Sequence, residues 1–295
     1  PILELSMFEI INVIIQGLLI GGFYAILASG LATAFGVMRI VNLAHGDLLV
    51  FSAFVILMLL EKFTDLPFLA VAALAIVLLF CLGYLFQKFI VNRTMGKDLL
   101  PPLLVTFGLS MIIQNGLLET FSADSKKINL GDIDSLSFNL TDDLYIGLLP
   151  LITFVSAIVL LIAIQLFISK TRVGRLIRAA SDDPETLAQF GENPKHIYAL
   201  AFGISFAICA FAALFFATTT QFNPLSGGPR LLTAFEAVVI GGVSSIWGTL
   251  AGSLLLGIAQ SLGAYIDPTL QNFFGHILFL MVLVFKPDGL FGRKV

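Results

Sequence analysis

Long apolar runs separated by short polar breaks organise the chain. Residues 10–38, 66–87, 99–118, 144–169, 197–229, 237–266 and 268–285 contain no Asp, Glu, Lys or Arg. Each run meets, or nearly meets, the ~20 residues that a helix needs to cross a bilayer. A shorter apolar stretch, 48–60, follows a polar cluster and stops at Glu61. The 237–266 run would extend about 45 Å as one helix, beyond the ~30 Å of a hydrocarbon core, and Ser244-Ser245-Ile246-Trp247-Gly248 offers a break within it. The pattern predicts an all-α polytopic membrane protein, a single transmembrane domain over 1–295, with about eight or nine transmembrane helices, some broken or re-entrant.

The largest polar island, 169–196, lies between two of these runs. It carries Lys170, Arg172, Arg175 and Arg178, continues through Ser181-Asp182-Asp183-Pro184-Glu185, and closes on Gly191-Glu192-Asn193-Pro194-Lys195-His196. Ser181, Asp182 or Asp183 can cap a helix, Pro184 suits a first turn, Glu185 favours the positive helix end, and Gly191 and Pro194 stop the pattern. A short helix outside the membrane is predicted here. A second cluster, 36–47, gathers Arg39, Asn42, His45 and Asp47. It reads either as a tight loop or as a broken helix at membrane depth, where free backbone is tolerated only inside protein or beside water. Glu236 stands alone in an apolar stretch. A lone acid at mid-bilayer costs roughly 2.5–3.5 kcal/mol, so it should face a cavity or a polar partner.

Charge gives an orientation. The 119–143 segment is acidic, with Asp124, Asp132, Asp134, Asp142 and Asp143 against Lys126 and Lys127. Placing 169–196 in the cytoplasm puts twelve basic residues inside and four outside, in agreement with the positive-inside rule. Residues 122–143 then form an acidic external loop, and the tail with Lys286, Arg293 and Lys294 is cytoplasmic. Nine crossings put the N-terminus outside, and eight would need the other side. The first run lacks a basic flank and is too long for a signal segment, so it reads as a retained helix. Small-residue helices followed by polar breaks, around 17–60 and again around 234–260, point weakly to an internal repeat of the kind transporters carry.

Composition agrees with this reading. Hydrophobic residues make up 58% of the chain and charged residues 12%, against roughly 25% charged in soluble domains. Cys81 and Cys209 lack metal-ligand or redox spacing and read as small buried hydrophobes. The sequence has no GxxxxGK[ST] phosphate loop and no HExxH or GxSxG motif, so it does not read as an enzyme and does not hydrolyse ATP by such a loop of its own. His45, His196 and His276 are too scattered for a metal site and read as hydrogen-bonding or interfacial residues. No nucleic-acid partner is expected.

Four segments, in order, carry a likeness. Gly36-Val37-Met38-Arg39-Ile40-Val41-Asn42-Leu43-Ala44-His45-Gly46-Asp47, Arg178-Ala179-Ala180-Ser181-Asp182-Asp183-Pro184-Glu185, Glu236-Ala237-Val238-Val239-Ile240-Gly241-Gly242 and Lys286-Pro287-Asp288-Gly289-Leu290-Phe291-Gly292 resemble the permeases of branched-chain amino acid ABC importers. The resemblance spans nearly the whole chain and is strongest to the first of the two homologous permeases of such systems. It implies a multi-pass permease domain in a bacterial inner membrane, with 169–196 as a coupling loop whose 183–191 helix seats in a groove of an ATP-binding subunit. Asp182, Asp183, Glu185, Ala188, Gly191 and Asn193 are then the coupling candidates. Importer permeases generally carry Glu-Ala-Ala, three residues and Gly here; Glu185-Thr186-Leu187 with Gly191 keeps the spacing and loses both alanines.

The resemblance further implies a second homologous permease, two ATP-binding cassette subunits holding ATP and Mg²⁺, an external solute-binding protein, and no cofactor on this chain. Asn42, His45, Asp47, Glu236, Gly241 and Gly242 are the candidates for the translocation path, the glycines by allowing close helix approach. Importers of urea or short-chain amides stay open as alternatives. The isolated Asp47 and Glu236 also keep an ion-coupled secondary transporter or channel in view.

Overall fold

The computed structural model describes residues 7–96, 98, 100–131, 136–141, 144–243 and 245–292. Its elements are α1 (Met7–Met38), α2 (His45–Lys62), α3 (Phe68–Phe86) extended through a π-helical turn (Gln87–Val91) into α4 (Asn92–Thr94), α5 (Leu100–Phe121), the strands β1 (Ser137–Thr141) and β2 (Leu144–Gly147), α6 (Leu148–Lys170), α7 (Arg172–Asp182), α8 (Pro184–Gln189), α9 (Pro194–Thr219), α10 (Gly227–Gly241), α11 (Ile246–Ile266) and α12 (Gln271–Phe285). The protein is therefore all-α in its membrane part. Among the described residues, seven helices are long and apolar enough to cross a bilayer: α1, α3 with its extension, α5, α6, α9, α11, and α12 with the turn before it.

The two remaining long helices fall short for identifiable reasons. In its 18 residues α2 carries Asp47, Glu61 and Lys62. With 15 residues, α10 reaches only about 22 Å at 1.5 Å per residue. The long 237–266 run does split, since α10 ends at Gly241 and α11 starts at Ile246. Pro101 and Pro102 sit in the first turn of α5, where a missing N–H costs nothing.

The chain divides into two compact units: 1–28, 129–161 and 233–295 form one, and 29–128 with 162–232 the other. In the first, small residues set the packing. Lipid tails are as apolar as leucine, so helices associate there through close van der Waals contact and hydrogen bonds. Gly17 and Gly21 of α1 face α11. A Cβ added at Gly257 would overlap the Gly17 carbonyl and lie 2.6 Å from the Gly21 nitrogen. Beside this crossing the Tyr24 hydroxyl donates to Gln260 Oε1 at 2.5 Å, and Ser261 Oγ donates to the Val13 carbonyl at 2.8 Å. In the second unit α9 is the core helix. In its most apolar stretch 72% of the residues are buried, against 22% in that of α5. It packs on α3 through Gly83 against Phe206 and Gly203 against Phe80. Phe54, Phe121, Phe216 and Phe222 cluster at one end of this unit, with neighbouring centroids 4.5–5.9 Å apart.

Three expectations are corrected. The segment ending the acidic loop is an antiparallel hairpin with Ser137 opposite Gly147 and Phe138 opposite Ile146, so α6 starts at Leu148 rather than at 144. Cys81 is exposed on the apolar flank of α3, among exposed Leu78, Leu82 and Leu85, whereas Cys209 is buried as expected. The polar island holds two helices, α7 and α8, where one was expected. Asp132, Asp134, Asp142, Asp143, Lys97, Ser244, Arg293, Lys294 and the first six residues lie outside the described residues.

The tight crossing gives a direct test. Gly257→Ala is expected to destabilise the protein by about 1–3 kcal/mol through forced separation of α1 and α11. Gly116→Ala on α5 meets nothing within 4 Å and should be neutral or stabilising by up to about 1 kcal/mol through helix propensity. Unfolding midpoints in mild detergent compare the two. Equal midpoints would contradict the crossing.

Candidate functional site

The polar island is built as a braced lever. Thr171 ends the α6 segment and caps α7, its Oγ1 accepting the Gly174 N–H at 3.0 Å. Gly174 is required there, since a Cβ would overlap the Phe167 carbonyl. Along α7 the buried residues Gly174, Ile177 and Ala180 recur every third position and form one stripe, so Arg172, Arg175 and Arg178 lie away from the protein. The far end of α7 is tied to α1, with Ser181 Oγ donating to the Gly36 carbonyl at 2.5 Å.

Asp183 then does two things. Its backbone N–H closes α7 on the Ala179 carbonyl at 3.0 Å. Its side chain caps α8, Oδ1 accepting the N–H groups of Glu185 at 3.1 Å and Thr186 at 3.0 Å. The Thr186 hydroxyl donates to Oδ2 at 2.5 Å. The hydroxyl first, and these amides with it, hold the Asp183 carboxyl below the usual carboxylate range. Pro184 occupies the first helical position. Leu187 is buried and anchors α8, while Glu185, Thr186, Ala188 and Gln189 are exposed.

Phe190 follows at 81% exposure. Gly191 takes the left-handed conformation at φ +83°, which ends the helix at little cost only for glycine. Asn193 caps α9, Oδ1 accepting the Lys195 N–H at 3.0 Å. Arg172 and Glu192, 2.9 Å apart, bridge the two ends of the segment. Of the coupling candidates, Asp183, Gly191 and Asn193 shape the lever, and Asp182, Glu185 and Ala188 sit exposed on it. Phe190 was not singled out from sequence, although a large aromatic just before a helix-stopping glycine in a polar island is a readable signal.

The 36–47 cluster holds a non-helical connection between α1 and α2. Residues 39–44 are non-helical yet mostly enclosed: Ile40, Asn42 and Ala44 are buried, Asn42 at 1% exposure. Arg39 takes φ +54° as α1 ends. The Leu43 N–H donates to Thr106 Oγ1 of α5 at 3.2 Å. Asn42 Oδ1 accepts the Ala44 N–H at 3.1 Å. From the first turn of α2, His45 lies buried with both ring nitrogens 3.7 Å from Cys209 Sγ. Gly46 meets the α10 backbone, where a Cβ would overlap the Gly227 carbonyl. Asp47 is 5% exposed. Ser110 Oγ donates to its Oδ2 at 2.5 Å, and its Oδ1 lies against Gly227. Asn42 Nδ2 and Asp47 Oδ1 are buried without hydrogen bonds.

Glu236 has the polar partner its isolation called for. Its Oε1 lies 2.5 Å from His276 Nδ1 of α12, with Glu236 nearly enclosed and His276 partly exposed. Nothing singled His276 out as that partner, although a lone acid and a lone imidazole in two apolar runs can be matched on that ground alone. Gly241 and Gly242 form a backbone junction. A Cβ at Gly241 would overlap the Gly248 carbonyl, and Gly242 has φ +99°. The chain tail docks here, Leu290 N–H donating to the Ile240 carbonyl at 2.9 Å and Phe291 N–H to Gly241 at 3.1 Å. The structure thus gathers Asn42, His45 and Asp47 around one break and pairs Glu236 with His276 beside another. Among the described residues no three His, Cys, Asp or Glu side chains form a metal-holding group.

Comparison with known proteins points one way. The family described as "Branched-chain amino acid transport system / permease component" matches residues 13–285. The high-affinity branched-chain amino acid transport system permease protein BraD of Pseudomonas aeruginosa is 29% identical over 301 residues, covering 98% of this chain and 97% of that protein. The LivH permease of the corresponding system in Escherichia coli K12 is 28% identical over 298 residues, covering 94% of each. In fold, PsaBC from Streptococcus pneumoniae, solved in complex with Fab, aligns with a TM-score of 0.50 at 13% identity over 94% of this chain and 92% of that one. With the spans, the breaks and the capped lever in place, the chain belongs to the permease family of branched-chain amino acid ABC importers and is a transmembrane permease subunit.

Proposed function

We propose that this chain moves branched-chain amino acids inward by alternating access, as one of two homologous permeases in a complex with two ATP-binding cassette subunits and an external solute-binding protein. ATP and Mg²⁺ are held by the cassettes, and the chain itself takes no cofactor. In this reading the protein sits in a bacterial inner membrane with 169–196 and the C-terminus in the cytoplasm and the N-terminus outside. The substrate class is supported by the names of relatives that align over nearly the full length.

The observation that carries the proposal is α8, a short helix capped at its start, stopped by a left-handed glycine, anchored by Leu187 and exposed on its outer face. Movement imposed on α8 passes into α7 through Asp183, which closes α7 and caps α8. It passes into α9 through the Gly191–Asn193 turn and the Arg172–Glu192 bridge. The Ser181 bond carries it to Gly36, two residues before the end of α1. Beyond that end lies the enclosed break with Asn42, His45 and Asp47. A displaced cassette therefore has a continuous packed route to a buried polar cluster.

Mass spectrometry of the chain purified in mild detergent from its native membrane tests the assembly. Two P-loop ATPases and a second permease are expected to co-purify, and Phe190→Ala should weaken ATPase retention about 10–100-fold, as for an aromatic interface anchor. A lone chain that drives uptake in liposomes without ATP would overturn the proposal.

Gly191→Leu forces a side chain into a left-handed position, at about 1–2 kcal/mol of local strain, in open space. The permease is expected to stay folded while ATPase activity separates from uptake. Normal stimulation of ATPase by loaded binding protein, with normal uptake, would remove Gly191 from the coupling role.

Because folding lowers the Asp183 pKa, its cap stabilises α8 at pH above the unfolded carboxylate value. That contribution is lost as pH falls through the lower folded value. Protection of the Leu187 and Phe190 amides, corrected for intrinsic exchange, is expected to drop over this acidic range in the wild type. In Asp183→Asn the drop should be absent, since asparagine caps without titrating.

A further inference from the structure

Beside the lever, a cavity of about 750 Å³ opens between the end of the α3 extension and the start of α9, within the roughly 300–1,000 Å³ of ligand pockets. Lys88, Arg93 and Lys195 line it together with Tyr84, Asn92 and His196. Its lining carboxylate, Glu192, is already paired with Arg172 at 2.9 Å. The cavity therefore presents a surplus of positive charge.

Its walls are held in place. Buried Asn92 donates Nδ2 to the Lys195 carbonyl at 3.0 Å and accepts from Gln87 Nε2 at 3.0 Å. Tyr84 Oη and His196 Nδ1 are 2.9 Å apart. The Lys88 ammonium lies 5.7 Å from the Tyr84 ring centroid and 5.4 Å from that of Phe89, close enough for cation–π attraction to restrain it.

Exposed apolar side chains lie next to Lys88, outside the cavity lining. Phe89 and Ile90, on the same π-helical turn as Lys88, are 51% and 46% exposed, and they continue the exposed apolar flank of α3. A cationic cavity beside an exposed apolar flank at the end of a membrane span matches an amphiphile with an anionic head. A soluble anion has no use for that flank. We propose that this cavity binds the phosphate headgroup of an anionic phospholipid, with acyl chains along Phe89 and Ile90. Basic pockets at the ends of membrane helices recognise such headgroups by charge. The inference rests on the membrane fold and not on the transport proposal.

Native mass spectrometry tests it, on the full chain with its co-purifying subunits, released from vesicles of equal phosphatidylglycerol and phosphatidylcholine. The wild type is expected to retain phosphatidylglycerol in preference. The double variant K88Q/R93Q should lose about fivefold of that preference per cation removed, and K88R/R93K should keep it. Both side chains are exposed, so unchanged unfolding midpoints are expected to confirm intact folding. No preference in the wild type, or equal retention by K88Q/R93Q, would overturn the proposal. Glycerol phosphate, the headgroup without chains, should compete poorly. Full displacement by it at matched concentration would mark a soluble-anion site and overturn the lipid assignment.

Discussion

A helix that ends away from water leaves its last carbonyls without partners. At two such ends in this protein, polar groups from elsewhere in the chain answer them. Where α1 ends, the Gly36 carbonyl takes the Ser181 hydroxyl and the Leu43 amide is taken by Thr106. Where α10 ends, the Ile240 and Gly241 carbonyls take the amides of Leu290 and Phe291. The segments that carry the family likeness are thus segments that complete each other's backbones: 36–47 with the end of α7, and 236–242 with the tail.

This dependence also explains the small residues at the breaks. A backbone can satisfy another backbone only at close range, so Gly242 meets Gly289 and Gly292. Side chains beyond hydrogen would hold the segments apart and strand the carbonyls. The polar residues then have restricted freedom. Asp47 is fixed between Ser110 and Gly227, and Glu236 against His276, so a change at either carboxylate must be accommodated by a second element.

Much of this could be read in the sequence because membrane crossing is a matter of length and charge. The seven apolar runs, the split after Gly241, the break at 36–47 and the capped helix at 184–189 all follow from local rules about charge, glycine and proline. What sequence did not reveal depends on pairing at a distance. Ser110, Thr106 and His276 are single polar residues in apolar runs, and only the fold says which partner each one meets. The hairpin was hidden by its acidic surroundings, although Ser137-Phe138-Asn139-Leu140-Thr141 alternates as a strand does. The second helix of the island is hard to read from sequence because its stripe, Gly174, Ile177 and Ala180, is short and lies among arginines. Cys81 was misplaced because an apolar run does not say which face meets lipid.

The two cysteines differ sharply in accessibility, with Cys81 on an exposed flank and Cys209 enclosed beside His45. The native sequence therefore contains its own labelling position. In detergent, a maleimide fluorophore or nitroxide can reach Cys81 on α3, while Cys209 is enclosed. That reporter would sit on the helix whose far end forms the cationic cavity.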